Sequence, residues 1–138
     1  MRIIEKLVTD DIINTYKEEL FLFGETKEDL KDKHIIKMLN DNNELVSIAM
    51  YSHLEAEEIE LYLNEDQKNT IEDVISQGIY LDAITSLKRG YNACKDIINY
   101  LLEKSKIIWC YSHIQAVEFW KRLGWYDCGE SIFINQLI

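Results

Sequence analysis

Ser86-Leu87-Lys88-Arg89-Gly90-Tyr91-Asn92-Ala93-Cys94-Lys95 joins a strand-like run to a helix-like one. Before it, Ile79–Leu87 is rich in β-formers; from Gly90 to Lys104, residues Cys94, Ile97, Ile98, Leu101 and Leu102 recur at helical spacing and are expected to face inward. A helix start offers backbone N–H groups without helical partners and the positive end of the dipole, which suits an anion such as a pyrophosphate. Lys88, Arg89 and Lys95 lie in the same eight residues. These residues alone leave two readings open, an anion site or a plain β–α turn with solvated bases.

Outward from this turn, Ile107–Tyr111 is a five-residue apolar run of the kind buried on both faces. Strand, helix and strand from 79 to 111 imply a parallel pair joined by a right-handed crossover. Ile114–Leu123 reads as a helix stopped by Gly124, and Trp125–Asp127 and Ser131–Ile138 as two closing strands. Toward the N-terminus, Met1–Val8 reads as a strand. A helix capped by Thr9 or Asp10 follows to about Phe23, stopped by Gly24, and Thr26 begins a shorter one with Asp29 as its capping-box acid. His34–Leu39 and Glu44–His53 flank Asn40-Asp41-Asn42-Asn43, residues that tolerate left-handed backbone, so a hairpin is expected. Residues 55–62 read as a continuation of its second strand, and Asn69–Gln77 as a short helix capped by Asn69 or Thr70 and broken by Gly78. The order β-α-α-β-β-(α)-β-α-β-α-β-β gives an α/β protein, one domain over residues 1–138, with a mixed central sheet and helices on both faces.

Composition narrows the function. The chain has 138 residues, 47% hydrophobic and 29% charged, with no Pro and five Gly, which excludes collagen, Pro-rich linkers and most disordered tails. Its 25 acids and 15 bases give a net charge of −10, so a broad basic footprint for duplex nucleic acid is absent. The charge is uneven: residues 1–78 carry net −11 and residues 79–138 net +1, and from Glu55 to Asp73 eight acids face Lys68 alone. Cys94, Cys110 and Cys128, 16 and 18 residues apart, make neither a disulfide framework nor a zinc motif, and buried structural thiols and no metal are expected. Without a signal-like start or an apolar run of about 18–20 residues, a cytoplasmic protein that does not enter membranes is expected.

The turn resembles the phosphate-binding turn of the GNAT superfamily of acyl-CoA N-acyltransferases, which places Gln/Arg-x-x-Gly-x-Gly/Ala, often as Arg-Gly-x-Gly-x-Gly, after the fourth strand. Arg89 and Gly90 match; Asn92 and Cys94 stand where the family prefers Gly and Gly or Ala. After its fifth strand the family carries Asn-x-x-Ala-x-x-Phe/Leu-Tyr-x-x-x-Gly-Phe/Trp. Here His113-Ile114-Gln115-Ala116-Val117-Glu118-Phe119-Trp120-Lys121-Arg122-Leu123-Gly124-Trp125 matches at Ala116, Phe119, Gly124 and Trp125. Residues 79–138 carry the specific likeness, 1–54 agree in pattern, and 55–78 resembles an insertion.

The resemblance implies a GNAT-like fold and an N-acetyltransferase using acetyl-CoA, or another acyl-CoA, on a primary amine. Carried over by position, the pyrophosphate falls to Arg89, Gly90, Asn92, Ala93 and Cys94, flanked by Lys88 and Lys95, and the pantetheine arm and thioester carbonyl to the main chain around Ile84. His113 takes the place of an Asn whose side chain commonly touches cofactor. Trp120 takes that of a Tyr that protonates the leaving thiolate, and an indole N–H lacks the acidity for that task. Tyr111 and Tyr126 remain as acids. As base the first candidate is Asp82, mid-strand between Leu81 and Ala83, where a charge is costly unless paired; Glu58, Glu60 and His53 follow. The acidic half suits a cationic acceptor, a small molecule or a basic peptide. A non-catalytic protein of the same fold, binding a partner through its acidic face, stays open beside this reading. The apolar Ile132-Phe133-Ile134 is a candidate homodimer edge.

Overall fold

A computed structural model describes residues 2–9, 32–88, 90 and 92–136, and elements are numbered among these. The two helices expected over Asp10–Phe23 and from Thr26 lie outside the described residues. Seven strands, β1 (Arg2–Leu7), β2 (His34–Leu39), β3 (Leu45–Ser52), β4 (Ile79–Ser86), β5 (Ile108–Tyr111), β6 (Tyr126–Asp127) and β7 (Ile132–Ile134), form one mixed sheet in the order β1-β2-β3-β4-β5-β7-β6. The helices are α1 (Ala56–Glu60), α2 (Glu65–Thr70), α3 (Glu72–Ile75), α4 (Ala93–Lys104) and, after a 3-10 turn at Ile114–Ala116, α5 (Val117–Arg122). The chain divides into two densely packed units, residues 1–52 with 83–100, and 53–82 with 101–138. Strand β4 gives its first half to the second unit and its last half to the first.

In the first unit β1, β2 and β3 form an antiparallel meander, with Leu7 opposite His34 and His34 opposite Tyr51. The β2–β3 turn closes as the Asn-rich sequence requires. Asn40 Oδ1 accepts from the amides of Asn42 (2.9 Å) and Glu44 (3.0 Å), and Asn43 takes a left-handed φ of 62°. Ile35, Ile36, Val46, Ile48, Met50 and Ile97 are buried. On α4 Leu101 is buried, whereas Leu102, expected inward, is 37% exposed.

A polar cluster cross-links this unit. Glu5 accepts from the hydroxyls of Tyr51 and Tyr100, both at 2.7 Å, and lies 3.3 Å from His34 Nδ1, whose ring stacks on Tyr51 at 4.6 Å. Burial, then the bond to Glu5, holds the Tyr51 hydroxyl protonated well above its ordinary range.

In the second unit, Ile59, Leu63, Ile71, Ile75, Tyr80, Ile107, Trp109, Ile132 and Ile134 form one core. Residues 55–62 do not prolong β3. They fold as α1, opened by a reciprocal Glu55–Glu58 capping box, because Ile59 and Leu63, four apart, both turn inward while Leu61 between them is 86% exposed. The helix expected at Asn69–Gln77 is two helices, and the first is capped earlier. Asn64 Oδ1 accepts from Gln67 N (2.8 Å) and Gln67 Oε1 from Asn64 N (2.9 Å), so Asn69 and Thr70 end α2 instead of opening a helix. Strand β5 is parallel to β4, pairing Ile79 with Ile108 and Tyr80 with Trp109, and antiparallel to β7, which pairs with β6.

Replacing Glu5 with Ala removes an acceptor shared by two hydroxyls and lowers the unfolding free energy in urea by about 2 kcal/mol; a loss under about 0.5 kcal/mol denies the cluster its structural role. Gly78 has no room for a side chain, because a Cβ there would stand 2.6 Å from both Ile107 Cγ2 and the Ile107 carbonyl oxygen. Gly78→Ala therefore costs about 1–3 kcal/mol by the same measurement, and wild-type stability would contradict the contact.

Candidate functional site

In the first unit the end of β4 runs into the turn that the sequence singles out. Ser47, fully buried on β3, donates to Thr85 O at 2.9 Å, and Leu87 N donates to Val46 O at 2.9 Å, so strand pairing holds the chain up to the turn. Ile84 is half-buried within this stretch. Gly90 then takes a φ of +89° with open space where a Cβ would stand, and Asn92 a φ of +44°. Both are left-handed, the conformation Gly adopts freely and Asn tolerates.

Helix α4 starts behind Asn92, whose carbonyl accepts from Asp96 N at 3.1 Å. The amides of Ala93, Cys94 and Lys95 precede that first helical bond and have no helical carbonyl to meet. A left-handed residue directly ahead of a helix gives a concave set of N–H groups that accepts anions. The Cys94 side chain turns away from that set, its Sγ 3.8 Å from Ser47 Oγ on β3, and burial raises its pKa. Ala93 is buried, whereas Asn92 and Lys95 are exposed. Lys88 is engaged by Glu44, Nζ to Oε2 at 2.8 Å. Arg89 lies outside the described residues.

In the second unit the β4–β5 ladder covers only Ile79–Ile108 and Tyr80–Trp109, although β4 continues and β5 runs to Tyr111. Strand alternation puts Asp82 on the face of Tyr80 and Tyr111 on the face of Trp109. Tyr80 and Trp109 touch, ring centroids 4.6 Å apart, so the two paired faces are one face. The candidate base and the candidate acid therefore share it, each two residues beyond the last pair. Asp82 is half-buried and Tyr111 is 54% exposed. Burial foremost, then the bond with Tyr62 and the charge on Asp82, keeps the Tyr80 hydroxyl protonated far above its usual range.

Other expected contacts fare differently. His113 opens the 3-10 turn with its side chain capping nothing, and it is exposed. Trp120 is 3% exposed, packed on Trp125 at 4.6 Å and Phe119 at 4.9 Å, and its buried Nε1 has no partner among the described residues. Cys110 is buried on β5 and its thiol is pushed up to about 12, so it stays protonated at neutral pH and is no nucleophile. Glu58 is tied into the α1 capping box and Glu60 sits on the same helix. Among the described residues no group of three His, Cys, Asp or Glu is placed to hold a metal, and no helix is long and apolar enough to cross a membrane.

One feature has no sequence precursor. A cleft of about 440 Å³ is lined by Leu61, Tyr62, Leu63, Asn64, Tyr111 and Glu130. Tyr62 packs among aromatic rings, 5.2 Å from Tyr80, 5.8 Å from Trp109 and 6.0 Å from Tyr111 by ring centroids. Reading 55–62 as a strand hides Tyr62. Only Gly129 in the sequence hints at the turn that carries Glu130.

No protein-family model matches the chain, and no curated protein sequence matches it. Solved structures do. A provisionally assigned acetyltransferase from Exiguobacterium sp. 255-15 superposes over 97% of this chain and 92% of its own, with a TM-score of 0.55 and 13% identity. The Bacillus subtilis N-acetyltransferase YlbP, solved with coenzyme A, superposes over 96% of this chain and 94% of its own, with a TM-score of 0.55 and 14% identity. A Tyr-to-Phe variant of KacT covers 97% of this chain and 94% of its own, with a TM-score of 0.54 and 14% identity. At such identities the likeness is one of fold, and the chain has the GNAT acyltransferase fold.

Proposed function

We propose that the protein is an N-acyltransferase that moves an acetyl or other acyl group from acyl-CoA to a primary amine. The observation that carries this reading is the early end of the β4–β5 ladder. Two parallel strands run on past their last pair with Asp82 and Tyr111 on one face. In parallel sheets ligands gather at the carboxyl ends of the strands. The turn after β4 adds the means to hold an anion: left-handed Gly90 and Asn92, three amides at the start of α4, and exposed Lys95. The coenzyme A in the YlbP complex supports the choice of donor.

The pyrophosphate falls to the amides of Ala93, Cys94 and Lys95, with the main chain around Ile84 for the pantetheine arm. When bound, acyl-CoA supplies an activated carbonyl and a thiolate leaving group. The amine reaches the protein as a cation and must lose a proton before it can attack. Asp82 accepts that proton. The amine nitrogen then bonds to the carbonyl carbon, the C–S bond breaks, and the second nitrogen proton is lost. Tyr111 delivers one proton to the sulfur, giving free CoA thiol and an amide, and the other proton leaves to solvent. Trp120 takes no part in this transfer, because an indole N–H is too weak an acid. A cationic acceptor suits residues 1–78, which carry net −11.

Thermal unfolding with and without acetyl-CoA tests the donor. Donor at 100 times its dissociation constant stabilises by about 2.7 kcal/mol; silence at millimolar acetyl-CoA and with longer acyl-CoAs rejects the enzyme and favours a partner-binding protein of this fold. Given an acceptor, Asp82→Asn lowers kcat by about 10²–10⁴ while keeping the acetyl-CoA shift, and Tyr111→Phe lowers it less because a thiolate leaves readily. Unchanged turnover in Asp82→Asn removes that carboxylate from the mechanism.

A further inference from the structure

The turn between β6 and β7 spends conformational freedom on an exposed residue. Gly129, Glu130 and Ser131 are left-handed in succession, with φ of 86°, 53° and 67°. Glu and Ser rarely adopt that conformation, and it persists only where the surroundings over-determine it. Here they do. Gln67, 3% exposed on α2, donates from Nε2 to Cys128 O (3.0 Å) and Gly129 O (2.6 Å). Asp127 Oδ1 accepts from Gly129 N (2.9 Å), Gly129 O from Ile132 N (3.0 Å), and Ser131 O from Ser112 N (2.8 Å). The braced turn presents Glu130 to the cleft, and among the described residues its carboxylate has no hydrogen-bond or ion-pair partner.

The other walls are aromatic and apolar. Tyr62 and Tyr111 supply rings, Leu61 and Leu63 supply hydrocarbon, and Asn64 Oδ1 is committed to the Gln67 amide. A lone carboxylate with aromatic faces suits a singly charged organic cation, because rings attract cations through their negative faces. A divalent metal wants several oxygen ligands, which this cleft does not assemble. The volume, about 440 Å³, exceeds a bare ammonium and leaves room for an alkyl chain. The neighbouring helices α1 to α3 carry Glu57, Glu58, Glu60, Glu65, Asp66, Glu72 and Asp73 against Lys68 alone, a field that concentrates cations at the cleft.

We infer that this cleft binds the ammonium end of an alkyl primary amine, with Glu130 as its counter-charge and the rings of Tyr62 and Tyr111 as its walls. Only the assignment of that amine as the acyl acceptor rests on the function proposed above; the binding itself does not.

Isothermal titration without any acyl-CoA tests it, using hexylammonium, hexan-1-ol as its neutral isostere, and an N-acetylated, C-amidated lysine peptide. Hexylammonium, the lysine peptide or both bind, at least tenfold more tightly than hexan-1-ol. Glu130→Gln weakens the cation at least tenfold and leaves hexan-1-ol unchanged, and Tyr111→Leu weakens the cation severalfold. Which cation binds separates a free amine from a peptide lysine. The inference is overturned if neither cation binds, if hexan-1-ol binds as tightly, or if Glu130→Gln binds the cation as the wild type does. Acetyl-CoA-induced thermal shifts on the same protein report independently, so a shift without amine binding sinks this inference alone, and amine binding without a shift sinks the acyltransferase alone.

Discussion

Gly78 lies against Ile107 so closely that no side chain fits between them, and the organisation of the second unit follows from that approach. It lets Ile79 N reach Ile107 O at 3.0 Å and sets the parallel register of Ile79 with Ile108 and Tyr80 with Trp109. Because side chains alternate along a strand, that register decides which residues share a face. It brings Tyr80 and Trp109 together under Tyr62, and it sends Asp82 and Tyr111 to the same side. A slip of one residue on either strand would part the carboxylate from the phenol and expose half of the core. The pairing is short, so the tight glycine contact matters more here than in a long ladder, where many bonds share the task.

The legible parts of the fold were those where local signals agree. Asn40 to Asn43 names its own turn, and the apolar run around Trp109 names a buried strand. The turn at Gly90 is marked by Gly, Asn and flanking bases together, and Gly90 and Asn92 are both left-handed there. Residues 55–78 misled because their apolar residues satisfy two periods at once. Ile59, Leu61 and Leu63 alternate like a strand, yet Ile59 and Leu63 also stand one helical turn apart. Two capping boxes, at Glu55 with Glu58 and Asn64 with Gln67, tip the balance to helices and leave Leu61 in solvent. Helix starts compete for several candidate caps, and Asn64 prevails over Asn69 because its partner Gln67 is also wanted on the far side, by the carbonyls of Cys128 and Gly129. That long-range demand is invisible in a linear reading.

The same holds for the site. Asp82 stood out because a charge amid β-formers is conspicuous, whereas Tyr111 entered beside Tyr126 as an acid in place of Trp120. Tyr62 and Glu130 carry no local mark; they become neighbours of Tyr111 only through the packing of α1 and the β6–β7 turn. Trp120 shows the reverse case. Its sequence position suggests chemistry, but its ring is fastened between Phe119 and Trp125, and its buried N–H has no acceptor among the described residues. An unpaired buried donor costs about 1–3 kcal/mol, a penalty the stacked aromatic contacts offset.

Charge gives the two halves of the chain different tasks. A net −11 over residues 1–78 is self-repelling, and seventeen residues carrying seven of those acids on three short helices, Glu57 to Asp73, are a costly way to make a solvated face. The helices tolerate it because the acids cluster in first turns, where the dipole favours them: Glu57 and Glu58, Glu65 and Asp66, Glu72 and Asp73. Local helix chemistry therefore stabilises each acid singly while the sum builds one negative field. A cation entering that field gains from all of them at a distance, but distance screening leaves the final contact to whatever lies within a few ångströms. The carboxylate so placed is Glu130, which belongs to the near-neutral half of the sequence and reaches the cleft on a turn that the buried Gln67 amide, Asp127 and the backbone of Ser112 and Ile132 hold in place.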